Sequence, residues 1–121
     1  MDCTHKPHVD GPKLLSLLGN IPPERFTILL YHTPDLAPEA SAAGADLMLS
    51  GHTHGGQVRV PGLGAVYASS LYGKRFEAGR YLLDRMILYV SRGIGMEGLS
   101  APRVRFLCPP EITLWEIGGT E

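Results

Sequence analysis

Two short apolar runs, FTILLY at 26–31 and ADLMLS at 45–50, stand either side of an alanine-rich stretch, and each passes directly into a histidine-bearing turn. Continuous runs of this length with β-favouring residues predict buried strands. Between them, 38–43 suits a short helix, with Pro38 in its first turn and Gly44 just past its end. Strand, helix and strand in that order predict two neighbouring parallel strands joined by a crossover. In open α/β sheets, ligands gather outside the carboxyl ends of the strands. His32 follows the first run, and His52 and His54 follow the second. The order of the chain therefore predicts three imidazoles close together.

The flanks of this unit read differently. The stretch up to Pro12 is polar, broken by Pro7, Gly11 and Pro12, and reads as a loop or an end. Leu14, Leu15, Leu17 and Leu18 give a short helical cluster, stopped by Gly19-Asn20 and the pair Pro22-Pro23. Beyond the histidines, 57–60, 65–69, 80–83, 86–90 and 111–117 are short, β-favouring and separated by glycine or proline. They predict a mostly antiparallel continuation, with a tight hairpin at Leu83-Asp84-Arg85-Met86. No internal repeat interrupts the pattern.

The sharpest local feature is Gly51-His52-Thr53-His54-Gly55-Gly56. In an extended strand, histidines two apart share a face. In a loop, the surrounding glycines allow positive φ and close backbone approach. Neutral imidazole is a common ligand of borderline transition metals, so His32, His52 and His54 are candidate metal ligands. The plainer alternative is a histidine pair decorating a turn, with His32 as a capping residue. Arg92 matches phosphate geometry but equally suits a nearby acid or carbonyl. Gly55 and Gly56 either present N–H groups to an anion or permit the turn. Tyr72, Lys74 and Arg75 read as solvated, Trp115 as core packing and Glu111 as structural.

Composition bounds the rest. With 121 residues the chain is one domain at most, or a piece of one, and its 44% hydrophobic content argues against disorder. Eleven basic and twelve acidic residues give a net charge of −1, so nothing points to a nucleic-acid partner. Cys3 and Cys108 read as two unrelated thiols, with a single bridge as the less favoured alternative. No apolar stretch reaches the ~20 residues a membrane span needs, and residues 1–10 lack the pattern of a signal peptide. The chain as given reads as soluble and, by default, cytoplasmic.

ILLYHTPD followed by ADLMLSGHTHGGQ resembles the last two metal-binding blocks of the calcineurin-like metallophosphoesterases. YGKRFEAGRY, LYVSRGIG and CPPEITLWEI are similar to the bacterial branch containing the YkuE- and YaeI-type phosphodiesterases. The similarity runs over 26–117. It implies an α/β fold, the C-terminal half of an αββα sandwich, with 1–121 as a partial domain. It also implies two divalent ions (manganese, iron or zinc), with His32 and His52 on the second and His54 completing the first. Such ions lie about 3.5–4 Å apart, polarise the phosphoryl group and lower the pKa of a bridging water, whose hydroxide attacks phosphorus. The implied activity is hydrolysis of phosphoesters, phosphodiesters above all, in a small-molecule or lipid substrate.

The same resemblance implies Asp-x-His, Gly-Asp and Asn-His blocks that this sequence lacks. Met1-Asp2-Cys3-Thr4-His5 has the wrong separation, and Asn20 precedes Ile21 rather than histidine. No catalytic residue is identified in the chain. Three neutral imidazoles cannot offset the charge of two divalent cations without the bridging carboxylate, so the site is expected to be incomplete. Alternatives are an inactive truncated product holding at most one metal, and a single structural zinc on the three histidines. Exposed strand edges predict self-association. Relatives of this branch often carry a membrane or export segment, so the parent protein is compatible with either location.

Overall fold

The computed structural model describes residues 7–56, 58–65, 73–96 and 104–119. Its centre is a four-stranded sheet of β1 (Ile28–Leu30), β2 (Leu47–Ser50), β5 (Gly79–Leu83) and β6 (Met86–Val90), in the order β1-β2-β6-β5. A separate antiparallel pair, β3 (Arg59–Val60) and β4 (Gly64–Ala65), lies between β2 and β5 in the chain. Helices α1 (Pro7–Leu18) and α2 (Ala37–Ala42) complete the mixed α/β fold.

The predicted strand-helix-strand unit is present. β1 pairs with β2 in parallel, Leu29 opposite Met48. α2 makes the crossover after a 3-10 turn at Pro34–Leu36. It ends where the sequence places its stop: Gly44 has φ 89, a left-handed conformation that glycine adopts without a Cβ penalty. β6 then joins β2 in parallel and β5 pairs with β6 antiparallel, Leu83 opposite Met86 across Asp84-Arg85. Asp84 takes φ 49 to close that hairpin.

Strand alternation assigns the faces. Met48 of β2 and Met86, Leu88 and Val90 of β6 are buried against Leu14, Leu18, Leu36, Ala37 and Ala40, with Phe76 in the same core. The helices therefore cover one face of the sheet. Side-chain bonds hold them there: Tyr31 Oη donates to Asp10 Oδ2 of α1 at 2.7 Å, and Ser41 Oγ of α2 donates to Leu83 O at 2.9 Å.

Three expectations need correction. The stretch before Leu14 is helical from Pro7, not a loop. Pro7 opens the helix where its missing N–H costs little, and Pro12 forfeits only one internal bond. Gly11, Leu14 and Leu18 then share one buried face. Residues 111–117 form no strand, because no described strand lends them a ladder of backbone hydrogen bonds. Trp115 is half-buried, its ring 5.1 Å edge-on to Tyr89, rather than in the core. Cys108 is a free, buried thiol, whereas Cys3, Tyr72 and 66–69 lie outside the described residues. Arg75 is exposed, its guanidinium 5.1 Å from the Phe76 ring centroid.

Candidate metal site

The carboxyl ends of β1, β2 and β6 lie level because the backbone ladder continues past each strand. Tyr31 N–H donates to Leu49 O at 3.2 Å, Gly51 N–H to His32 O at 3.0 Å and Ser91 N–H to Ser50 O at 2.8 Å. His32 is thereby fixed across from Gly51, and His52 comes one residue later. The His32 and His52 rings lie 4.7 Å apart, tilted 57° to one another. Beside them an open depression of about 370 Å³ is lined by Leu30, Tyr31, His32, Leu49, Ser50 and Gly51.

The loop after β2 is unusual in its backbone. His52 has φ 65, His54 φ 49, Gly55 φ 63 and Gly56 φ 76. For a non-glycine residue the left-handed region costs roughly 1–2 kcal/mol. Two histidines therefore hold conformations that only surrounding contacts can maintain. Thr53, buried between them, is one anchor: its Oγ1 donates to Glu77 O at 2.6 Å. The Glu77 carboxylate in turn lies 3.4 Å from Arg59 Nη1. His54 is held through its carbonyl, which accepts from Cys108 Sγ at 3.1 Å and from Arg105 Nη1 at 3.4 Å. Its ring edge faces Gly95, where a Cβ would lie 3.5 Å from Cε1.

Gly55 and Gly56 take part in holding the loop. Gly56 N–H donates to Thr53 O at 2.7 Å, and Gly55 N–H reaches Thr53 Oγ1 at 3.4 Å. Gly55 is also pressed against Cys108 and the Arg92 stem. Arg92 points its Nε at Glu111 Oε2, 2.5 Å away, and Tyr89 Oη donates to the other oxygen, Oε1. Thr113 Oγ1 adds a third bond to that carboxylate at 2.9 Å. Burial alone would raise the Glu111 carboxyl, but the bonds from Tyr89, Arg92 and Thr113 outweigh it and hold it below the ordinary value. The bonds to Glu111 in turn raise Arg92 and Tyr89 above theirs. Tyr31 is also raised, first by burial and then by its bond to Asp10.

Whether these groups suit a metal follows from their spacing. Two imidazole nitrogens about 2.0–2.1 Å from one ion, at ligand angles of roughly 90–110°, put ring centroids about 4.5–5.2 Å apart. The His32–His52 separation falls in that window. Among the described residues, however, no group of three or more His, Cys, Asp or Glu is arranged to hold an ion. The residues present thus fit part of one coordination shell. Sequence reasoning singled out the three histidines, Arg92 and the two glycines, but did not anticipate the loop contacts of Arg105, Thr53 and Glu77. The one available signal was an arginine, Arg105, set among Val104, Phe106 and Leu107 and so with few local partners for its charge.

Comparison with known proteins finds relatives over most of the chain. Over 110 residues, 91% of this chain, it is 38% identical to an uncharacterized metallophosphoesterase, YkuE, of Bacillus subtilis. Over 90 residues, 74% of the chain, it is 39% identical to the phosphodiesterase YaeI of Escherichia coli. A third relative is the UDP-2,3-diacylglucosamine pyrophosphatase LpxG of Chlamydia trachomatis, 33% identical over 96 residues, 72% of the chain. No family model matches, and no solved structure does. The mixed α/β fold is consistent with part of a metallophosphoesterase domain. The chain belongs to the metallophosphoesterase family. It spans about a third of the length of these relatives: 37% of YkuE, 32% of YaeI and 27% of LpxG. No described helix is long and apolar enough to cross a membrane.

Proposed function

We propose that this chain supplies the late histidines of a two-metal centre that hydrolyses phosphodiesters. The observation that carries the reading is the His32–His52 pair, 4.7 Å apart at the ends of adjacent parallel strands. His32 and His52 would share one ion, and His54 would serve the other. The remaining ligands, including a carboxylate to bridge the ions, would come from outside the described residues. Bound divalent ions would supply a Lewis acid for the phosphoryl oxygens and a water of lowered pKa. The chain's own part is to aim its imidazoles and to hold them on a strained loop. Arg92 pairs with Glu111, and the Gly55 and Gly56 N–H groups bond to Thr53, so in this reading the three residues support the histidine loop. A diester or diphosphate substrate is supported by the names of YaeI and LpxG, and LpxG adds a lipid-linked one.

The test uses protein expressed from the complete reading frame, with manganese, and a chromogenic phosphodiester. His32→Ala and His52→Ala should each lower kcat/KM at least about a hundredfold, equivalent to roughly 2.7 kcal/mol of transition-state stabilisation. Undiminished turnover in both variants would end the proposal.

A second reading rests on the donor set: the 121 residues by themselves hold at most one ion and do not turn over. Three imidazoles carry no charge to offset two dications, and no three-ligand group is gathered among the described residues. Elemental analysis of the 121-residue chain separates the readings. Two tightly held equivalents of metal would exclude this one.

A further inference from the structure

The histidine loop is strained, and one side chain, Arg105, ties it to two other pieces of the chain. All three guanidinium nitrogens of Arg105 donate to backbone carbonyls. Nη2 reaches Gly95 O at 2.6 Å, Arg92 O at 2.7 Å and Gly93 O at 3.1 Å. Nε adds a second bond to Gly95 O at 3.1 Å, and Nη1 spans Cys108 O at 3.3 Å and His54 O at 3.4 Å. These five carbonyls come from three separate pieces of chain: the loop after β2, the loop after β6 and the segment approaching Cys108. Carbonyl dipoles aimed at one point repel one another, so the arrangement requires a cation at its centre. A planar fork of five N–H donors can serve several acceptors at fixed angles, which a lysine ammonium cannot reproduce.

We propose that Arg105 is a positioning residue for the metal site, clamping the His52–His54 loop to the loop after β6. His54 sits at φ 49 with its carbonyl drawn to Arg105 and Cys108, and its ring edge faces Gly95, whose carbonyl Arg105 also holds. The guanidinium thus fixes both His54 and the surface its ring packs on. All its nitrogens are engaged by backbone, so its role is to hold the loop rather than to touch substrate. Without it, the His54 carbonyl would keep the Cys108 bond but lose the guanidinium, and the imidazole would be held less firmly for an ion to bind. The proposal rests on the metal-binding reading above.

The experiment uses protein from the complete reading frame, unmodified and as Arg105→Lys, Arg105→Met and His52→Ala. Manganese affinity is measured by competition with a chromophoric chelator, and amide hydrogen exchange is followed in parallel. Both Arg105 variants should bind manganese at least about tenfold more weakly. Exchange should accelerate in residues 51–56 and 91–95 while β2 and β6 keep their protection. If Arg105→Met fails to fold, Arg105→Lys carries the test, since it keeps the stem and the charge. Affinity within about threefold of the unmodified protein, or exchange that rises uniformly along the chain, overturns the positioning role. If His52→Ala loses manganese while the Arg105 variants keep it, the positioning role alone falls. If the unmodified protein binds none, the metal reading and the positioning role fall together.

Discussion

At Gly55 two constraints act on one Cα. Its φ is 63, and a methyl group there would lie 2.6 Å from Cys108 Sγ and 2.8 Å from Arg92 Cγ. Gly44 offers a comparison, with φ 89 and, among the described residues, only Arg85 Nη2 nearby, at 3.8 Å. Gly44→Ala should cost the left-handed penalty alone, about 1–2 kcal/mol. Gly55→Ala should add an overpacking cost of about 1–3 kcal/mol, because the buried Cys108 cannot move aside. Urea unfolding of both variants checks the difference, and equal losses would mean that the Cys108 contact yields. The histidines were legible because their spacing and glycine neighbours are local signals. The hold on them was not. Arg105 lies 51 residues from His54, and no local pattern encodes which carbonyls a distant guanidinium will collect.

Among the elements, those with a local start, stop and period were legible. α2 carries a proline near its start and Gly44 after its end, and the β5–β6 hairpin pairs Leu83 with Met86 as its turn predicts. Residues 111–117 show why period alone misleads. Ile112 and Leu114 alternate like strand residues, yet they are 88% and 95% exposed, because a strand also needs a neighbour's backbone. Side chains fasten the segment instead, through Glu111 and Thr113 to Tyr89 and through Glu111 to Arg92. This gives the segment a pH dependence. The folded Glu111 carboxyl lies below its unfolded value, so the unfolded chain binds the extra proton. Its contribution is fully present above the unfolded pKa, about 4.3, and is lost as pH falls through the lower folded value. Glu111→Gln should therefore be less stable than the unmodified chain at neutral pH and should lose less on acidification. Urea midpoints from neutral pH down to pH 3 test this, and parallel curves for the two proteins would refute the coupling.

On the scale of the whole molecule, the described helices cover one face of the sheet. The helices bury Met48, Met86, Leu88 and Val90, while on the opposite face Leu30 is 72% and Leu82 69% exposed. Leu30 belongs to β1 and Leu82 to β5, the two outer strands, so among the described residues unpaired edges and exposed apolar side chains coincide. Burying a leucine side chain is worth about 1.5–3 kcal/mol, and an unpaired edge offers a row of backbone donors and acceptors to a second molecule. The isolated 121-residue chain should therefore self-associate, with a mass by light scattering that grows with concentration. Leu30→Lys places a charge on the β1 edge and should shift the population toward monomer, whereas a substitution on the helical surface such as Lys13→Ala should not. A monomer at every concentration would show that the open face is tolerated in water. An unchanged assembly in Leu30→Lys would move the contact away from the β1 edge.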